Sequence, residues 1–443
     1  MRTLRIGSGA GYGGDRLEPA IDLIRRGNLD YIIFECLAER TIALAQLEKQ
    51  ADPQKGYNSL LEYRMQAILA ALKDHPTRVI TNMGAANPRA AAQKTRELAR
   101  EAGLFGLKVA CVTGDDVLAT LSPDLPILET GDPLSSLGDS VISANAYLGC
   151  EGICEALEAG ADIVITGRVA DPALVLGPLR HEFGWAADDF DKLGKGILAG
   201  HLLECAGQVT GGYFADPGMK DVPELWNLGF PLAEITEAGD ITITKLPDTG
   251  GLVSEATCQE QLLYEIQDPT RYFTPDCTAD FSSVTTRQVG PDRVQLQGAT
   301  GRAHNGQYKV SVGYQDCWIG EGQISYYGTT ARERAALAGE IVRRRLEVRG
   351  CSHSELRIDL LGVNSLFPAT GPVPPEVRLR VAARTADRVN AAMVGDEVEA
   401  LYTNGPGGGG GAVKQVRKIV SVASVFIPQS AAKAQVEVRE VKA

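Results

Sequence analysis

Arg168 and Asp171 bracket a loop in the segment ITGRVADPALVLGP, directly after an apolar run that is typical of a β-strand. An arginine at the carboxyl end of a strand can bind a carboxylate or a phosphate through two parallel hydrogen bonds. The aspartate could hold that arginine in place or move a proton. The spacing therefore predicts a substrate-binding site here, with a simple ion pair between the two side chains as the alternative.

His201 and Glu204 lie three residues apart in the helical segment GHLLECAG, close enough for their side chains to interact on one helix face. Histidine is the side chain whose ordinary pKa lies nearest neutral pH, and the chain has five histidines. His201 is therefore our candidate for general acid–base catalysis. The alternative is a structural histidine that is paired with Glu204.

The glycine-rich segment RIGSGAGYGGDR follows the first predicted strand. Three of its glycines match the pattern G-x-G-x-x-G: Gly9, Gly11 and Gly14. Glu35 ends the next strand, where a dinucleotide-binding protein places an acid for a ribose hydroxyl. The extra Gly13 and the charged Asp15 and Arg16 break the usual helix entry. NAD binding, a tight structural turn and another kind of ligand-contacting loop all stay open.

Polar residues also follow the third and fourth predicted strands. Asn82 ends the strand RVIT, where its amide could orient a carboxylate or a carbonyl, and Asn87 suits a helix N-cap. Asp115 and Asp116 follow the strand KVACVT. Paired carboxylates are typical of acid–base chemistry or Mg²⁺ binding, and a solvated turn is the alternative.

Two later glycine-rich segments, PDTGGLVSEAT and GPGGGGGA, resemble loops that bind anions through backbone N–H groups. The first contains Thr249, Gly250 and Gly251 and leads into a predicted helix. A substrate that carries a phosphate would explain both segments, and a flexible lid would explain the second equally well. Gly211 and Gly212 join these residues as candidates for substrate binding.

Short apolar runs alternate with helical segments through the first half of the chain, which is typical of a parallel sheet flanked by helices. After about residue 230, hairpin-like strands and one long helix replace this alternation. We therefore predict an α/β fold with two domains: a Rossmann-like domain at 1–230 that carries the polar strand-end loops, and an α+β domain at 231–443 that carries glycine-rich loops. Ligands of open α/β sheets bind outside the carboxyl ends of the strands, so the loops should form one site.

The formal net charge of −12 argues against a general affinity for nucleic acid or for anionic membranes. The sequence contains neither a signal peptide nor a run of about eighteen apolar residues, so we expect a cytoplasmic protein. Cys150 and Cys154 have no cysteine or histidine nearby that would complete a zinc site. Strands such as QYKVSVGY would leave open sheet edges, which predicts a homo-oligomer.

Several segments, in order along the chain, resemble the acyclic terpene utilisation family, the AtuA-like proteins. They include GSGAGYGGD, TNMGAANPRA, ADIVITGRVADPALVLGPL, LAGHLLECAGQVTGGYFAD and TKLPDTGGLVS, and the resemblance runs through roughly residues 4 to 420. Members of this family accompany bacterial pathways that degrade branched acyclic terpenoid acids as coenzyme A thioesters. The resemblance implies an enzyme of carboxylic-acid or acyl-CoA catabolism, and it assigns no catalytic residue.

The sequence lacks a G-x-S-x-G elbow, an H-E-x-x-H motif and a P-loop, which argues against the usual hydrolases, metalloproteases and nucleotide kinases. We therefore expect a hydratase or lyase that uses acid–base residues. An acyl-CoA transferase or thioester hydrolase that uses a carboxylate such as Glu35, an NAD-type oxidoreductase, and a non-catalytic binding or assembly protein are the alternatives.

These considerations give two sets of candidate residues. The candidate proton carriers are His201, Asp15, Glu35, Asp115 and Asp171. The candidate substrate-binding residues are Gly9, Gly11, Gly13, Gly14, Arg16, Asn82, Arg168, Gly211, Gly212, Thr249, Gly250 and Gly251. We expect no organic cofactor and no metal ligands among these residues, a requirement for a divalent metal stays open, and the expected partner is a small carboxylate or an acyl-CoA.

Overall fold

The computed structural model describes residues 2–368, 371–372 and 374–443. The chain forms two compact units, the first made of Met1–Gly313 with Val422–Ala443 and the second of Tyr314–Ser421. The boundary that the sequence suggests near residue 230 falls inside the first unit. No helix in the described ranges is long and apolar enough to cross a membrane.

The described chain contains eighteen strands. In chain order the strands are β1 (Thr3–Ala10), β2 (Tyr31–Phe34), β3 (Arg78–Thr81), β4 (Lys108–Thr113), β5 (Val141–Ala146), β6 (Ile163–Thr166), β7 (Pro231–Thr236), β8 (Ile241–Lys245), β9 (Tyr272–Phe273), β10 (Thr278–Asp280), β11 (Thr285–Gly290), β12 (Arg293–Gln297), β13 (Thr300–Arg302), β14 (Gln307–Tyr327), β15 (Glu355–Leu361), β16 (Glu376–Thr385), β17 (Gly410–Pro428) and β18 (Gln435–Glu440). The chain passes between the two units within the long strands β14 and β17.

The α-helices of the described residues number eleven. They are α1 (Glu18–Arg26), α2 (Glu39–Ala51), α3 (Leu61–Leu72), α4 (Pro88–Glu101), α5 (Glu151–Glu158), α6 (Ala173–Phe183), α7 (Phe190–Glu204), α8 (Glu255–Leu263), α9 (Ala331–Val348), α10 (Arg388–Glu399) and α11 (Leu401–Asn404). Short 3₁₀ turns follow α7 and precede β5 and β7.

Ten strands of the first unit form one mixed sheet in the order β11-β12-β8-β7-β1-β2-β3-β6-β4-β18. The five neighbours β1, β2, β3, β6 and β4 are parallel. Beside them β7 pairs antiparallel with β1, and β18 pairs antiparallel with β4. The predicted parallel sheet is therefore shown only in part: its centre is parallel, and antiparallel strands flank it on both sides. The short turn between β7 and β8 can connect only antiparallel neighbours.

The central strands are almost completely buried, as continuous apolar runs such as YIIF in β2 and IVIT in β6 require. Helices α1, α3 and α4 pack their apolar sides into one core with these strands, through residues such as Leu23, Ile68 and Leu98. Each fully buried aliphatic side chain of this kind contributes about 1.5–3 kcal/mol to stability. This packing fixes the positions of the strand ends, from which the polar loops emerge.

The second unit is built on the strands β15, β16, β14 and β17, in that order, and β16 is antiparallel to both β15 and β14. Helices α9 and α10 contribute Val342, Leu346 and Val394 to a core that also contains Leu379 and Val381 of β16. In this unit, α9 and α10 therefore pack against the sheet.

Candidate functional site

A cavity of about 650 Å³, called the main cavity below, lies in the first unit at the carboxyl ends of β1, β2 and β6. Its wall is formed by three strand-end segments and three later segments. The strand-end contributions come from within 11–16, 35–39 and 168–171, and the later ones from within 204–213, 225–230 and 264–265. Gly11 and Arg168, which follow β1 and β6, therefore line one cavity.

The wall of the main cavity is rich in acidic side chains. Six carboxyl groups line it: Asp15, Glu35, Glu39, Asp171, Glu204 and Glu265. Two arginines accompany them, Arg16 and Arg168. So many acids in a small space cannot all be ionised without strong mutual repulsion, unless neighbouring groups separate their pKa values.

Glu35 is buried at the end of β2 and holds its proton tightly. Its Oε1 accepts hydrogen bonds from the backbone N–H of Leu37 at 2.8 Å and from the side-chain amide of Asn82 at 2.9 Å. Burial and the nearby charge of Asp171 outweigh Arg168 and these hydrogen bonds and raise the pKa of Glu35 to about 8. Glu35 is therefore mostly protonated at neutral pH.

Glu39 lies at the start of α2 and is ionised. Burial alone would raise its pKa, but the hydrogen bond from the Tyr147 hydroxyl at 2.6 Å and the charges of Lys309 and Arg168 lower the pKa of Glu39 to about 2. The two glutamates, four residues apart in the sequence, thus present opposite protonation states to the same cavity.

Arg168 is only 1% exposed, and protein acceptors occupy most of its guanidinium group. It donates to the carbonyl oxygens of Leu37 and Val169 and to the carboxylate of Asp171. These bonds take four of its five N–H donors, and the Tyr147 ring lies 4.3 Å from the guanidinium carbon. The ion pair with Asp171 is therefore present, and Arg168 offers a bound molecule its charge and one remaining N–H.

His201 lies outside the main cavity, behind Glu204. His201 is 1% exposed, with Nδ1 2.8 Å from Glu204 Oε1 and Nε2 3.2 Å from the carbonyl oxygen of Leu262. A carbonyl oxygen can only accept, so Nε2 carries a hydrogen, and the remaining proton lies between Nδ1 and Glu204. Although burial opposes the imidazolium, the Glu204 carboxylate outweighs burial and raises the pKa of His201.

Glu204 lines the main cavity, and one of its carboxyl oxygens is without a hydrogen-bond partner among the described residues. Its Oε2 atom is buried and has no hydrogen-bond partner in the described part of the chain. Burial raises the pKa of Glu204, while His201 opposes that rise. A buried oxygen without a partner costs about 1–3 kcal/mol, so a bound molecule that donates a hydrogen to it would gain that energy.

The loop after β1 is closed mainly by its own residues. The Asp15 carboxylate accepts from the backbone N–H groups of Gly11 at 2.9 Å and Arg16 at 2.8 Å, and the buried Arg64 donates to the Asp15 carbonyl oxygen. A Cβ on Gly11 would lie 2.4 Å from the carbonyl carbon of Cys205. The close approach that requires glycine here is to the protein backbone.

The other glycines of this loop also meet protein atoms. A Cβ on Gly9 would lie within 3 Å of the Phe34 ring, one on Gly14 would lie 3.0 Å from the Tyr12 ring, and one on Gly13 would lie 3.2 Å from the Asn58 amide nitrogen. Arg16 is exposed at the cavity wall, with weak contacts to backbone carbonyls of residues 225 and 226.

Asn82 and Asp115 support the site from behind its wall. The Asn82 amide holds Glu35, and its oxygen accepts from the Cys36 backbone N–H at 2.7 Å. The Asp115 carboxylate accepts from the backbone N–H of Arg168 at 3.0 Å and from the Asn145 amide at 2.8 Å. Burial raises the pKa of Asp115 to about 6. The hydrogen bond from the backbone N–H of Arg168 lets this carboxyl group fix the strand-end loop that carries Arg168.

The later glycine candidates occupy turns near the wall. Gly212 lines the main cavity, and Gly211 has a positive φ of 101°. In the turn after β8, Thr249 donates to the Leu246 carbonyl oxygen. The backbone N–H groups of Gly250 and Gly251 donate to carbonyl oxygens of residues 227 and 223. This turn is thus closed by protein acceptors, and it contributes no residue to the main cavity.

A protein-family model described as acyclic terpene utilisation family protein AtuA matches residues 4–438. The chain belongs to this family. The resemblance seen in the sequence is thereby confirmed, and it connects the chain to acyclic terpene utilisation. A search of curated proteins finds no match.

Several residues at the site of this AtuA family member are not apparent from sequence patterns. Glu39 and Tyr147 are 108 positions apart, yet their side chains are hydrogen-bonded. Tyr12, Tyr264 and Glu265 also line the main cavity. The pair of acids at 35 and 39, directly after a buried strand, is the one local signal that could have pointed to Glu39. Among the described residues, no group of three or more histidine, cysteine, aspartate or glutamate side chains is arranged to hold a metal ion.

Proposed function

We propose that the protein is an enzyme of branched carboxylic-acid or acyl-CoA catabolism within acyclic terpene utilisation, and that it is a hydratase or lyase that adds or removes water by acid–base catalysis. One observation carries this proposal: Glu35, with a pKa of about 8, and Glu39, with a pKa of about 2, line one cavity. Environments that separate the pKa values of neighbouring acids are typical of sites that need a proton donor and an ionised group together.

Glu35 is the general acid of this proposal. A carboxyl group with a pKa of about 8 keeps its proton at neutral pH and can transfer it to a departing hydroxyl group. The hydrogen bonds from Leu37 and Asn82 occupy Oε1 and fix the orientation of the carboxyl group.

Glu204 is the general base. Glu39 suits this role poorly because its low pKa makes it a weak base and because the Tyr147 hydroxyl already donates to it. The Oε2 atom of Glu204 has no partner among the residues that the structure describes, so it can accept a proton from the substrate. The Oε1 atom shares a proton with His201, so the charge of the pair is spread over both side chains. His201 then acts through Glu204 as a positioning residue.

The proposed reaction balances without a cofactor. Glu204 removes a proton from the carbon beside the thioester carbonyl of a 3-hydroxyacyl substrate, and Glu35 protonates the hydroxyl group as its carbon–oxygen bond breaks. Water leaves and a carbon–carbon double bond forms, and hydration is the reverse. The charge of Arg168 and its remaining N–H stabilise the negative charge that develops on the carbonyl oxygen.

Acyl transfer through Glu35 receives less support. A carboxylate nucleophile must be ionised to attack a thioester, whereas burial keeps Glu35 protonated at neutral pH. We therefore prefer the hydratase or lyase to the transferase and to the thioester hydrolase.

The test is turnover of 3-methyl-branched enoyl-CoA and 3-hydroxyacyl-CoA thioesters, followed by the ultraviolet absorbance of the conjugated thioester. Glu35→Gln and Glu204→Gln should each lower kcat by roughly 10²- to 10⁴-fold. Glu265→Gln, the same change on the same cavity wall, serves as the matched control and should retain activity. Ligands that bind to the parent protein and are recovered unchanged would instead indicate a non-catalytic binding protein.

We also propose that the protein is a homo-oligomer. The segment QYKVSVGY, which the sequence suggests as an open edge, instead belongs to β14, which lies between β16 and β17. In the part of the chain that the structure describes, the sheet of the second unit ends at the strands β15 and β17. Edge strands offer backbone groups that a second copy can pair with. Light scattering should give a mass above the 47.2 kDa of one chain, and a mass of one chain at micromolar concentration would contradict this proposal.

A further inference from the structure

A second cavity of about 410 Å³, called the side cavity below, adjoins the main cavity. Arg16, Leu228 and Phe230 line both cavities, so the two spaces share one partition. The two cavities are therefore neighbours, and an acyl chain that passes these three side chains would enter the side cavity. The volume falls within the range of roughly 300–1,000 Å³ that is typical of small-molecule sites.

Part of the wall of the side cavity is apolar. Phe230 and Leu246 are buried to 97% and 95% in the surrounding core, and Pro19 and Leu228 add further apolar wall. Trp226 lies at its outer side with 77% of its surface exposed. Contact with these groups would remove an aliphatic chain from water.

The charges of the side cavity disfavour a phosphate-bearing ligand. Glu18 and Asp22 of α1 line it, and among the described residues Arg16 is the one cation in its wall. The phosphates of a coenzyme A group would meet net negative charge there. An uncharged hydrocarbon chain meets no such repulsion.

We propose that the side cavity binds the apolar, branched acyl chain of the substrate while the carboxyl or thioester group lies in the main cavity. This inference rests on the proposed function, because it assumes a carboxylic-acid or acyl-CoA substrate. It adds the location that determines chain-length specificity. It also gives the turn after β8 a role, since Thr249 lines the side cavity.

A third cavity, of about 890 Å³, adjoins the main cavity on another side through Tyr264 and Glu265. Its apolar residues Met219 and Leu263 are 84% and 62% exposed, so they would shield a hydrocarbon chain from water less completely than the buried wall of the side cavity. It also contains Lys220. This cavity is the competing location for the acyl chain and supplies the control.

The experiment measures binding of saturated 3-methyl-branched acyl-CoA thioesters with chains of four to twelve carbons, by calorimetry. Saturated chains cannot undergo the proposed reaction, so binding is measured without turnover. For the parent protein, each added methylene should tighten Kd by about fourfold until the side cavity is full. A dissociation constant that is independent of chain length would overturn the inference.

Two bulky variants distinguish the two locations. Asn227→Trp places a large side chain in the wall of the side cavity, at an exposed position outside the main cavity. It should abolish the gain for long chains and leave the Kd of the shortest chain unchanged. Ala256→Trp adds similar bulk to the third cavity and should retain the parent dependence on chain length. The opposite pattern would place the acyl chain in the third cavity and refute the inference.

A third variant provides a test that is valid even if Asn227→Trp does not fold. Asp22→Leu replaces a charge of the side cavity by an apolar group and should tighten binding of the longest chains several-fold, with no change for the shortest. Equal effects on all chain lengths would contradict the inference. If the thioesters bind with the expected dependence on chain length but Glu35→Gln retains turnover of the unsaturated substrates, the proposed catalysis fails while the acyl-chain site stands.

Discussion

Glu35, Glu39 and Glu204 are chemically identical side chains that differ because of their neighbours. Glu35 is buried beside another acid and keeps its proton, whereas a tyrosine hydroxyl and nearby cations hold Glu39 in the ionised form. Glu204 is paired with a histidine through one oxygen and leaves the other without a partner. At the residue scale, function depends on which hydrogen-bond acceptors and charges remain available to a substrate.

Replacing Glu35 by glutamine should weaken the pH dependence of stability. The pKa of Glu35 rises from an ordinary value of 4.5 to about 8 in the folded protein. Its contribution to stability is therefore fully present below about pH 4.5 and is lost as the pH rises to about 8, because the unfolded chain releases this proton first. Glu35→Gln cannot ionise, so it should be more stable than the parent at pH 9, by a few kcal/mol in order of magnitude.

Urea unfolding of both proteins at pH 5 and pH 9 measures this difference. Glutamine retains the side-chain oxygen that accepts from Leu37 and Asn82, so the two proteins should have similar stability at pH 5. A parallel pH dependence of the two proteins would show that Glu35 is not protonated in the folded state.

Replacing His201 by asparagine tests its action through Glu204. The histidine opposes the rise in the pKa of Glu204, so its loss should raise that pKa and move the acidic limb of the kcat/KM profile to higher pH. We expect kcat to fall by roughly 10²-fold or more, with little change in KM. A merely structural histidine would alter the melting temperature without moving the acidic limb of the kcat/KM profile. His181→Asn, outside the main cavity, is the matched control.

Sequence spacing predicts the local part of the site. The pairs Arg168 with Asp171 and His201 with Glu204 are three residues apart and interact as the spacing suggests. The spacing cannot show that the donors of Arg168 are consumed by backbone carbonyls, or that Tyr147 meets Glu39, because those contacts depend on how distant segments pack. The pKa shifts depend on the same packing, so the sequence pattern cannot predict them either.

The element that brings the site together is the edge formed by the carboxyl ends of the parallel strands. The loops after β1, β2 and β6 reach the main cavity, whereas those after β3 and β4 supply Asn82 and Asp115 to the layer behind it. The alternation of strands and helices in the sequence is sufficient to predict this shared edge. It is not sufficient to predict which loop faces the cavity, because that depends on strand order, and β6 lies between β3 and β4.

Replacing Gly11 by alanine should disturb this edge. The new Cβ would lie 2.4 Å from the Cys205 carbonyl carbon, so the loop or the end of α7 must shift. Overpacking of this kind costs about 1–3 kcal/mol, and the shift should also weaken ligand binding. Chemical unfolding of Gly11→Ala measures the loss.

Gly407→Ala is the control for this prediction. An added Cβ at Gly407 meets no atom within 4 Å, so its stability should change by no more than about 0.5 kcal/mol. Equal stability of the two variants would show that the close approach at Gly11 is not required.

At the scale of the whole molecule, the change in the secondary-structure pattern of the sequence does not coincide with the boundary between the two units. The change near residue 230 marks the start of the antiparallel strands β7, β8, β11 and β12, which extend the same sheet. Local patterns identify these hairpin strands but cannot show that β7 pairs with β1, a partner more than two hundred residues earlier. The pairing of the final strand β18 with β4 cannot be predicted from local sequence patterns for the same reason.

Net charge gives a prediction that belongs to the whole molecule. The chain carries a net charge of −12, and six of its carboxyl groups but only two of its arginines line the main cavity. A coenzyme A thioester carries negative phosphates and should be repelled at low ionic strength. Raising the ionic strength from about 10 mM to about 150 mM shortens the Debye length from about 30 Å to about 8 Å, so the KM for the coenzyme A thioester should fall several-fold.

The matched substrate for this measurement is the thioester of pantetheine with the same acyl chain, which lacks the phosphates. Its KM should not change with salt, and kcat should be constant for both substrates because the catalytic groups are buried and weakly screened. A KM for the coenzyme A thioester that rises with salt would show attraction by local cations such as Arg16 in place of repulsion by the whole protein. In that case the phosphates would bind beside the main cavity, and the acidic wall would act only on the acyl end of the substrate.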